Sequence, residues 1–306
     1  MSSLIERAVA RLGESATEDL GTVDNARPSA APTSKAAPQR PPAAPPVPAA
    51  TPAETLYIDL DSLRAAGVVT PSGDQTPTFA QFRVIKRPLI NNAFGRAGTK
   101  PLPNGKRVMV TSAFPGEGKT FCAANLAMSI AAERDHKVIL IDADVARPAM
   151  PRMLGIQHGE GLMEWLASDS PPPVGQIVLP TNVESLSVIR AGHRHDHATE
   201  LLASHAMGRL LDELSVTYPE SILIFDSPPL LVTTESRVVA SYMGQIVMVV
   251  EAGKTPRESV IEALATIESC EVIGLVLNKA EKLETQGYYQ GYGYGYGYGY
   301  GQAPRS

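Results

Sequence analysis

Residues 108–120 read Val-Met-Val-Thr-Ser-Ala-Phe-Pro-Gly-Glu-Gly-Lys-Thr. The β-branched run at its start predicts a buried parallel strand. A glycine-rich turn follows, and then a helical pattern from Thr120 to about Arg134. Strand, turn and helix in this order are the context of a phosphate-binding loop. Gly116 and Gly118 let the backbone curl with its N–H groups pointing inward, and the helix N-terminus adds partial positive charge. Lys119 is expected at the β- and γ-phosphates, and the Thr120 hydroxyl on magnesium. The motif asks for Gly at position 113, where this chain has Ala113.

Downstream of this loop the chain alternates. Strands are predicted near 107–112, 137–141, 186–190, 221–225, 245–250 and 272–277, and helices near 120–133, 161–168, 199–216, 234–242 and 256–268. Such alternation gives an α/β fold, a mostly parallel sheet covered by helices on both faces. Ligands of such sheets bind at the carboxyl ends of the strands. Two further predicted strands end in acid: 138–141 runs into Asp142-Ala143-Asp144, and 222–225 into Asp226-Ser227-Pro228-Pro229. Carboxylates beside a triphosphate need a bridging cation, so these ends imply magnesium.

The flanking segments differ in kind. Residues 1–20 contain a short amphipathic helix with Leu4, Ile5, Ala8, Val9 and Leu12 on one face, readable as a frayed end or as a docking helix. Residues 21–54 carry nine prolines between Pro28 and Pro52 and read as an extended linker. Order resumes weakly over 55–75. Over 78–94 a helix capped by Thr78 is expected, with Phe79, Phe82, Ile85 and Leu89 on one face, Arg83, Lys86 and Arg87 as a basic edge, and Pro88 limiting or kinking it. That helix either packs on the domain or makes a subunit contact. One folded domain, 55–280, therefore carries the chemistry.

Residues 281–306 form a flexible tail. Seven of the ten tyrosines lie there, Tyr288, Tyr289, Tyr292, Tyr294, Tyr296, Tyr298 and Tyr300, alternating with glycine almost throughout. Alternating Gly-Tyr builds no core. It reads as a sticky low-complexity segment or as an array of phosphate acceptors.

The net charge of −5 argues against a nucleic-acid binder that works by bulk electrostatics. No apolar run approaches the ~18–20 residues of a membrane span. Glu6, Arg7, Arg11 and Glu14 interrupt the N-terminus, which reads as no signal peptide. Cys122 and Cys270 lack disulfide or metal spacing and are expected in the core of a reducing-compartment protein. Trp165 is expected in the core, and His193, His195 and His197 in a solvated loop.

Taken together, the Pro-Gly-Glu-Gly-Lys-Thr loop, the Asp-Ala-Asp turn, the Asp-Ser-Pro-Pro end and the tyrosine tail resemble the bacterial tyrosine kinases. The likeness is to the stand-alone autokinases of exopolysaccharide and exosortase-associated loci. The resemblance spans about residues 78–301. It implies a P-loop NTPase fold and ATP-dependent phosphorylation of the chain's own tail tyrosines, mostly in trans, with Tyr288, Tyr289, Tyr292, Tyr294, Tyr296, Tyr298 and Tyr300 as the acceptors. The implied nucleotide site takes in Pro115, Gly116, Glu117, Gly118, Lys119, Thr120, Phe121 and Asn278. Lys119, Asp142 and Asp144 are the implied catalytic residues, Asp142 activating the incoming hydroxyl. Thr120, Asp144 and Asp226 are the implied magnesium ligands.

The same resemblance implies a transmembrane chain-length-determinant (Wzz-like) activator acting in trans, a homo-oligomer and a cognate tyrosine phosphatase. It also implies a cytoplasmic site at the inner membrane, and no nucleic acid. Two departures stand out. Arg147 sits beside Ala146, where the family carries Arg. Ala80, Arg83 and Lys86 occupy the family's Glu-x-x-Arg-x-x-Arg oligomer motif. The competing readings are a ParA/MinD-like ATPase switch, which would want Lys where Phe114 stands, and a non-catalytic scaffold.

Overall fold

In the computed structural model, residues 54–280 are described, apart from 72–75, 97 and 134. The N-terminal helix, nearly all of the proline-rich linker and the Gly-Tyr tail lie outside the described residues. All seven expected acceptors, Tyr288, Tyr289, Tyr292, Tyr294, Tyr296, Tyr298 and Tyr300, are therefore outside them too.

Seven strands are formed: β1 (Arg107–Ser112), β2 (Lys137–Asp142), β3 (Leu179–Pro180), β4 (Leu186–Ile189), β5 (Ser221–Asp226), β6 (Gln245–Glu251) and β7 (Val272–Asn278). The helices are α1 (Leu60–Ala65), α2 (Pro77–Phe94), α3 (Lys119–Ala131), α4 (Met150–Leu154), α5 (Leu162–Ala167), α6 (Ala198–Leu202), α7 (His205–Thr217), α8 (Glu235–Ala240) and α9 (Arg257–Ala265).

The strands lie in the order β3-β4-β2-β5-β1-β6-β7. All neighbours run parallel except the short β3, which is antiparallel to β4. Successive side chains of a strand point to opposite faces, and that period sorts the core into two layers. Met109, Ile139, Ile141, Leu223 and Phe225 face α5 to α9. Val108, Val110, Val138, Leu140, Ile222 and Ile224 face α1 to α4. Strands buried on both faces explain why these runs are apolar throughout rather than alternating. Cys122, Cys270 and Trp165 are buried, as expected of core residues.

Several local expectations are corrected. Helix α2 begins earlier than predicted: Thr76, not Thr78, is its N-cap and accepts from the Phe79 N–H at 3.1 Å, with Pro77 at the first helical position. Pro88 does not limit the helix, which runs on to Phe94. The carbonyl that loses its donor belongs to Val84, which is 74% exposed, so water can satisfy it. Lys86 is not on the basic edge. It turns inward, pairs with Glu133 at 2.7 Å and donates to the Ser129 carbonyl. The helix expected over 199–216 is two helices, α6 and α7, parted where Ser204 caps the second.

The start of the domain is better ordered than its composition suggests. The Asn182 amide accepts from the Ile58 N–H at 2.8 Å and donates to the Ile58 carbonyl at 3.0 Å. The Val69 N–H donates to Asn125 on α3 at 2.9 Å. Leu56, Ile58 and Leu63 are buried beside α3.

Candidate nucleotide site

Three strand ends meet at one edge of the sheet. Val110 of β1 is level with Asp226 of β5, and Asp226 is level with Asp142 of β2. The loop 113–118 leaves β1 at that edge and ends in α3. After Asp226 the chain stays against this loop: the Ser227 N–H donates to the Val110 carbonyl at 3.0 Å, and the Thr111 hydroxyl to the Pro228 carbonyl at 2.8 Å. Asp226 is thereby fixed beside the root of the loop.

Gly116 and Gly118 have φ of 87° and 97°, the left-handed region that a loop closing on an anion requires. Gly118 is also the N-cap of α3. The Ala113 departure from the motif has a simple explanation. Among the described residues only Asn104 and Lys279 are non-glycines with positive φ, so position 113 needs no glycine, and its methyl group is fully buried. Glu117 braces the loop from within: its carboxylate accepts from the Phe114 N–H at 2.7 Å and from the Thr255 hydroxyl.

Lys119 Nζ donates to Asp144 Oδ2 at 2.6 Å, and both side chains are about nine-tenths buried. Burial opposes the charge on Lys119, but Asp226, Asp144 and Asp142 together outweigh it and hold its pKa above the ordinary value. Burial pushes the Asp226 carboxyl up to about 6, with Lys119 and the nearby Thr120 hydroxyl opposing the rise. Asp142 is raised well above the usual carboxylate range, first by burial and then by repulsion from Asp226 and Asp144. Neither oxygen of Asp226, and only one of Asp142, completes a hydrogen bond among the described residues.

Three buried carboxylates around one ammonium leave negative charge uncompensated, and a hard divalent cation would complete it. Among the described residues no group of three or more His, Cys, Asp or Glu forms a self-sufficient cation site. Magnesium asks for less: one or two carboxylates, the loop hydroxyl and the phosphates of a nucleotide. Thr120, Asp144 and Asp226 fit that donor set.

The loop opens into a cavity of about 600 Å³ lined by Pro115, Gly116, Gly118, Lys119, Thr120, Phe121 and Asp144. Asp142 and Asp226 lie a layer deeper, with no exposed surface. The far wall comprises Arg147, Met153, Arg194, Pro229 and Val232. Met153, Arg194 and Val232 were not singled out by the sequence; Arg194 sits in a histidine-rich stretch that reads as plain solvated loop. In that loop His193 Nδ1 lies 2.8 Å from Glu164. Asn278 is set apart from this cavity. It donates to the Glu117 carbonyl at 2.8 Å and lines a separate groove with Phe121 and Cys122. The tail tyrosines, from Tyr288 through Tyr289, Tyr292, Tyr294, Tyr296 and Tyr298 to Tyr300, lie outside the described residues.

Comparison with known proteins agrees with this geometry. A family profile described as "ParA: NUBPL iron-transfer P-loop NTPase" matches residues 105–282. Over 188 residues the chain is 34% identical to tyrosine-protein kinase YwqD of Bacillus subtilis (strain 168), a match covering 60% of this chain and 77% of that one. It is 30% identical over 184 residues to the succinoglycan biosynthesis transport protein ExoP of Rhizobium meliloti (strain 1021), covering 59% of this chain and 23% of that one. The crystal structure of the chimerical protein CapA2B2 superposes with a TM-score of 0.61 at 25% identity, over 75% of this chain and 95% of the other. Among the described residues no helix is long and apolar enough to cross a membrane.

Proposed function

The chain belongs to the bacterial tyrosine-protein kinases within the ParA group of P-loop NTPases, and on that premise we propose that it transfers the γ-phosphoryl group of ATP to tyrosines of its own C-terminal tail, in trans. The observation that carries this reading is the convergence of Lys119 and Asp144 at the 113–118 loop with Asp142 and Asp226 directly beneath them, in a chain that carries a tyrosine array at 288–300.

The roles follow from position. The loop N–H groups and Lys119 hold the β- and γ-phosphates. Thr120, Asp144 and Asp226 would hold magnesium, which would supply positive charge against the transferring group. Asp142 is the candidate to accept the phenol proton, since a tyrosine hydroxyl with pKa near 10 needs a base close by. The tyrosine oxygen bonds to the γ-phosphorus, the bond to the bridging oxygen breaks, and ADP leaves. Arg147, on the cavity wall, supplies the cation that the family carries one residue earlier.

What supports transfer in trans is the exit of the chain. Asn278 and Lys279 hold the loop through the Glu117 and Gly116 carbonyls and do not line the cavity that Asp144 lines. Tyr288 lies ten positions beyond Asn278, a reach of roughly 35 Å when extended, enough for a neighbouring molecule. Tyr289, Tyr292, Tyr294, Tyr296, Tyr298 and Tyr300 lie further along the same segment and reach further still. Each added phosphate brings roughly −1.5 to −2 charges, which weakens binding to an acidic site and disperses an assembly. The chain would then act in exopolysaccharide production, in line with the ExoP relative's name, a succinoglycan biosynthesis transport protein, and would do so with a membrane-spanning activator.

A mixing experiment tests the trans step. Full-length Lys119→Met serves as acceptor only, and the wild-type sequence ending at Gln286 as donor only. Phosphotyrosine on the Lys119→Met chain after incubation with ATP and magnesium supports the reading. None there, with self-labelling of the intact wild type, would restrict transfer to cis. The family profile also favours a second reading, an ATPase switch in which the tail plays no part. That reading predicts hydrolysis without phosphotyrosine.

A further inference from the structure

We infer that Lys279 is a positioning residue that holds the phosphate loop in its anion-binding form. Lys279 Nζ donates to the Gly116 carbonyl at 2.6 Å and pairs with Glu251 at 3.2 Å. Its neighbour Asn278 donates to the Glu117 carbonyl at 2.8 Å. Two consecutive carbonyls of the loop are thus held from outside by two consecutive side chains at the end of β7.

The consequence follows from peptide geometry. In a planar trans peptide the C=O and N–H point in opposite directions. Anchoring the Gly116 carbonyl to Lys279 turns the N–H of Glu117 to the opposite side. Anchoring the Glu117 carbonyl to Asn278 does the same for the N–H of Gly118. Both N–H groups then face the concave side of the loop, where successive amides make an anion cradle. Without the ammonium, no other described side chain fixes the first of these peptides, and glycine at 116 leaves it free to flip.

A second observation points the same way. Lys279 has a φ of 55°, a left-handed conformation that non-glycine residues adopt at a cost. That turn swings the side chain back from the strand end across the loop. Glu251, at the end of β6, fixes the ammonium from its other side. The Thr255 hydroxyl, four residues on, holds the Glu117 carboxylate. The loop is therefore framed by the last two strands of the sheet, and Lys279 does not line the cavity itself. It acts through Gly116, at the point where the tyrosine tail begins.

The inference rests on the nucleotide reading of the loop, and its test separates the two. Full-length wild type, Lys279→Met, Lys279→Arg and Lys279→Gly are titrated with ADP and magnesium by calorimetry, and each is unfolded thermally without nucleotide. Loss of a charge-assisted hydrogen bond predicts an affinity about tenfold weaker for Lys279→Met. The same loss is predicted for Lys279→Gly, although glycine suits the backbone better, and Lys279→Arg is expected to recover most of it. Unfolding temperatures close to wild type in all three support a positioning role. ADP affinity within twofold of wild type in Lys279→Met, or wild-type affinity in Lys279→Gly, would overturn the inference and leave the nucleotide reading standing. Absence of ADP binding by the wild-type chain would overturn both.

Discussion

Lys119 Nζ and Asp144 Oδ2 lie 2.6 Å apart, so the ammonium needed at the phosphates and the carboxylate needed at the cation neutralise each other. Nucleotide binding must exchange this pair for two new ones. Asp144→Asn frees Lys119 in advance. It should raise the affinity for magnesium-free ADP several-fold, because an opposite charge in contact competes with the ligand, and should abolish the gain that magnesium gives wild type. Calorimetry with and without magnesium measures both. Equal weakening under the two conditions would contradict the exchange.

The Asp226 carboxyl gives a pH signature. Its pKa is pushed from an ordinary 3.8 to about 6 in the folded chain. Between these values the folded protein keeps a proton that the unfolded chain has released, so stability from this group falls as pH rises toward 6. Two pKa units correspond to about 3 kcal/mol at most. Asp226→Asn should therefore raise the unfolding temperature at pH 7.5 far more than at pH 4.5 in magnesium-free buffer, while removing activity. Equal shifts at both pH values would show that Asp226 is not held in a hostile environment.

In the proposed mechanism Asp142 takes the phenol proton. Asp142→Asn keeps the shape of the site and removes the base. Its ADP affinity should stay within a few-fold of wild type while the rate of tyrosine phosphorylation falls by ~10²–10⁴. Undiminished transfer would take Asp142 out of that role.

Much of this arrangement was legible in the sequence, and the reasons are physical. The strands β1, β2 and β5 are buried on both faces, so they announce themselves as continuous apolar runs, and the acids that end them mark the sheet edge. Residues that act through backbone carbonyls left no such mark. Lys279 is one lysine after a strand, and its grip on Gly116 depends on a left-handed turn that no residue type there betrays. Lys86 read as surface because helical spacing places it next to Arg83 and Arg87. The Ser129 carbonyl and Glu133 draw it inward instead. Helix α1 and strand β3 are too short for a periodic signal.

The Lys86 pair yields a stability prediction. Glu133 is 41% exposed, so the pair is screened on one side only. Glu133→Gln leaves a buried ammonium with the Ser129 carbonyl as its remaining partner, and should cost about 1–3 kcal/mol, less than breaking a wholly buried pair. Lys86→Met, which keeps the apolar stem, should cost less. Denaturant unfolding of the two variants measures the order; the reverse order would contradict an ionised Lys86 inside the fold.

Phosphorylation of the tyrosine tail by the Lys119 site is the central claim, and the most direct measurement is the intact mass of the purified full-length chain after incubation with ATP and magnesium, alone and with the cytoplasmic segment of the proposed membrane activator. The prediction is a ladder of phosphate additions, all mapping to residues 288–300, absent from Lys119→Met and from a chain ending at Gln286. ATP hydrolysis with no mass added to the tail would contradict the claim.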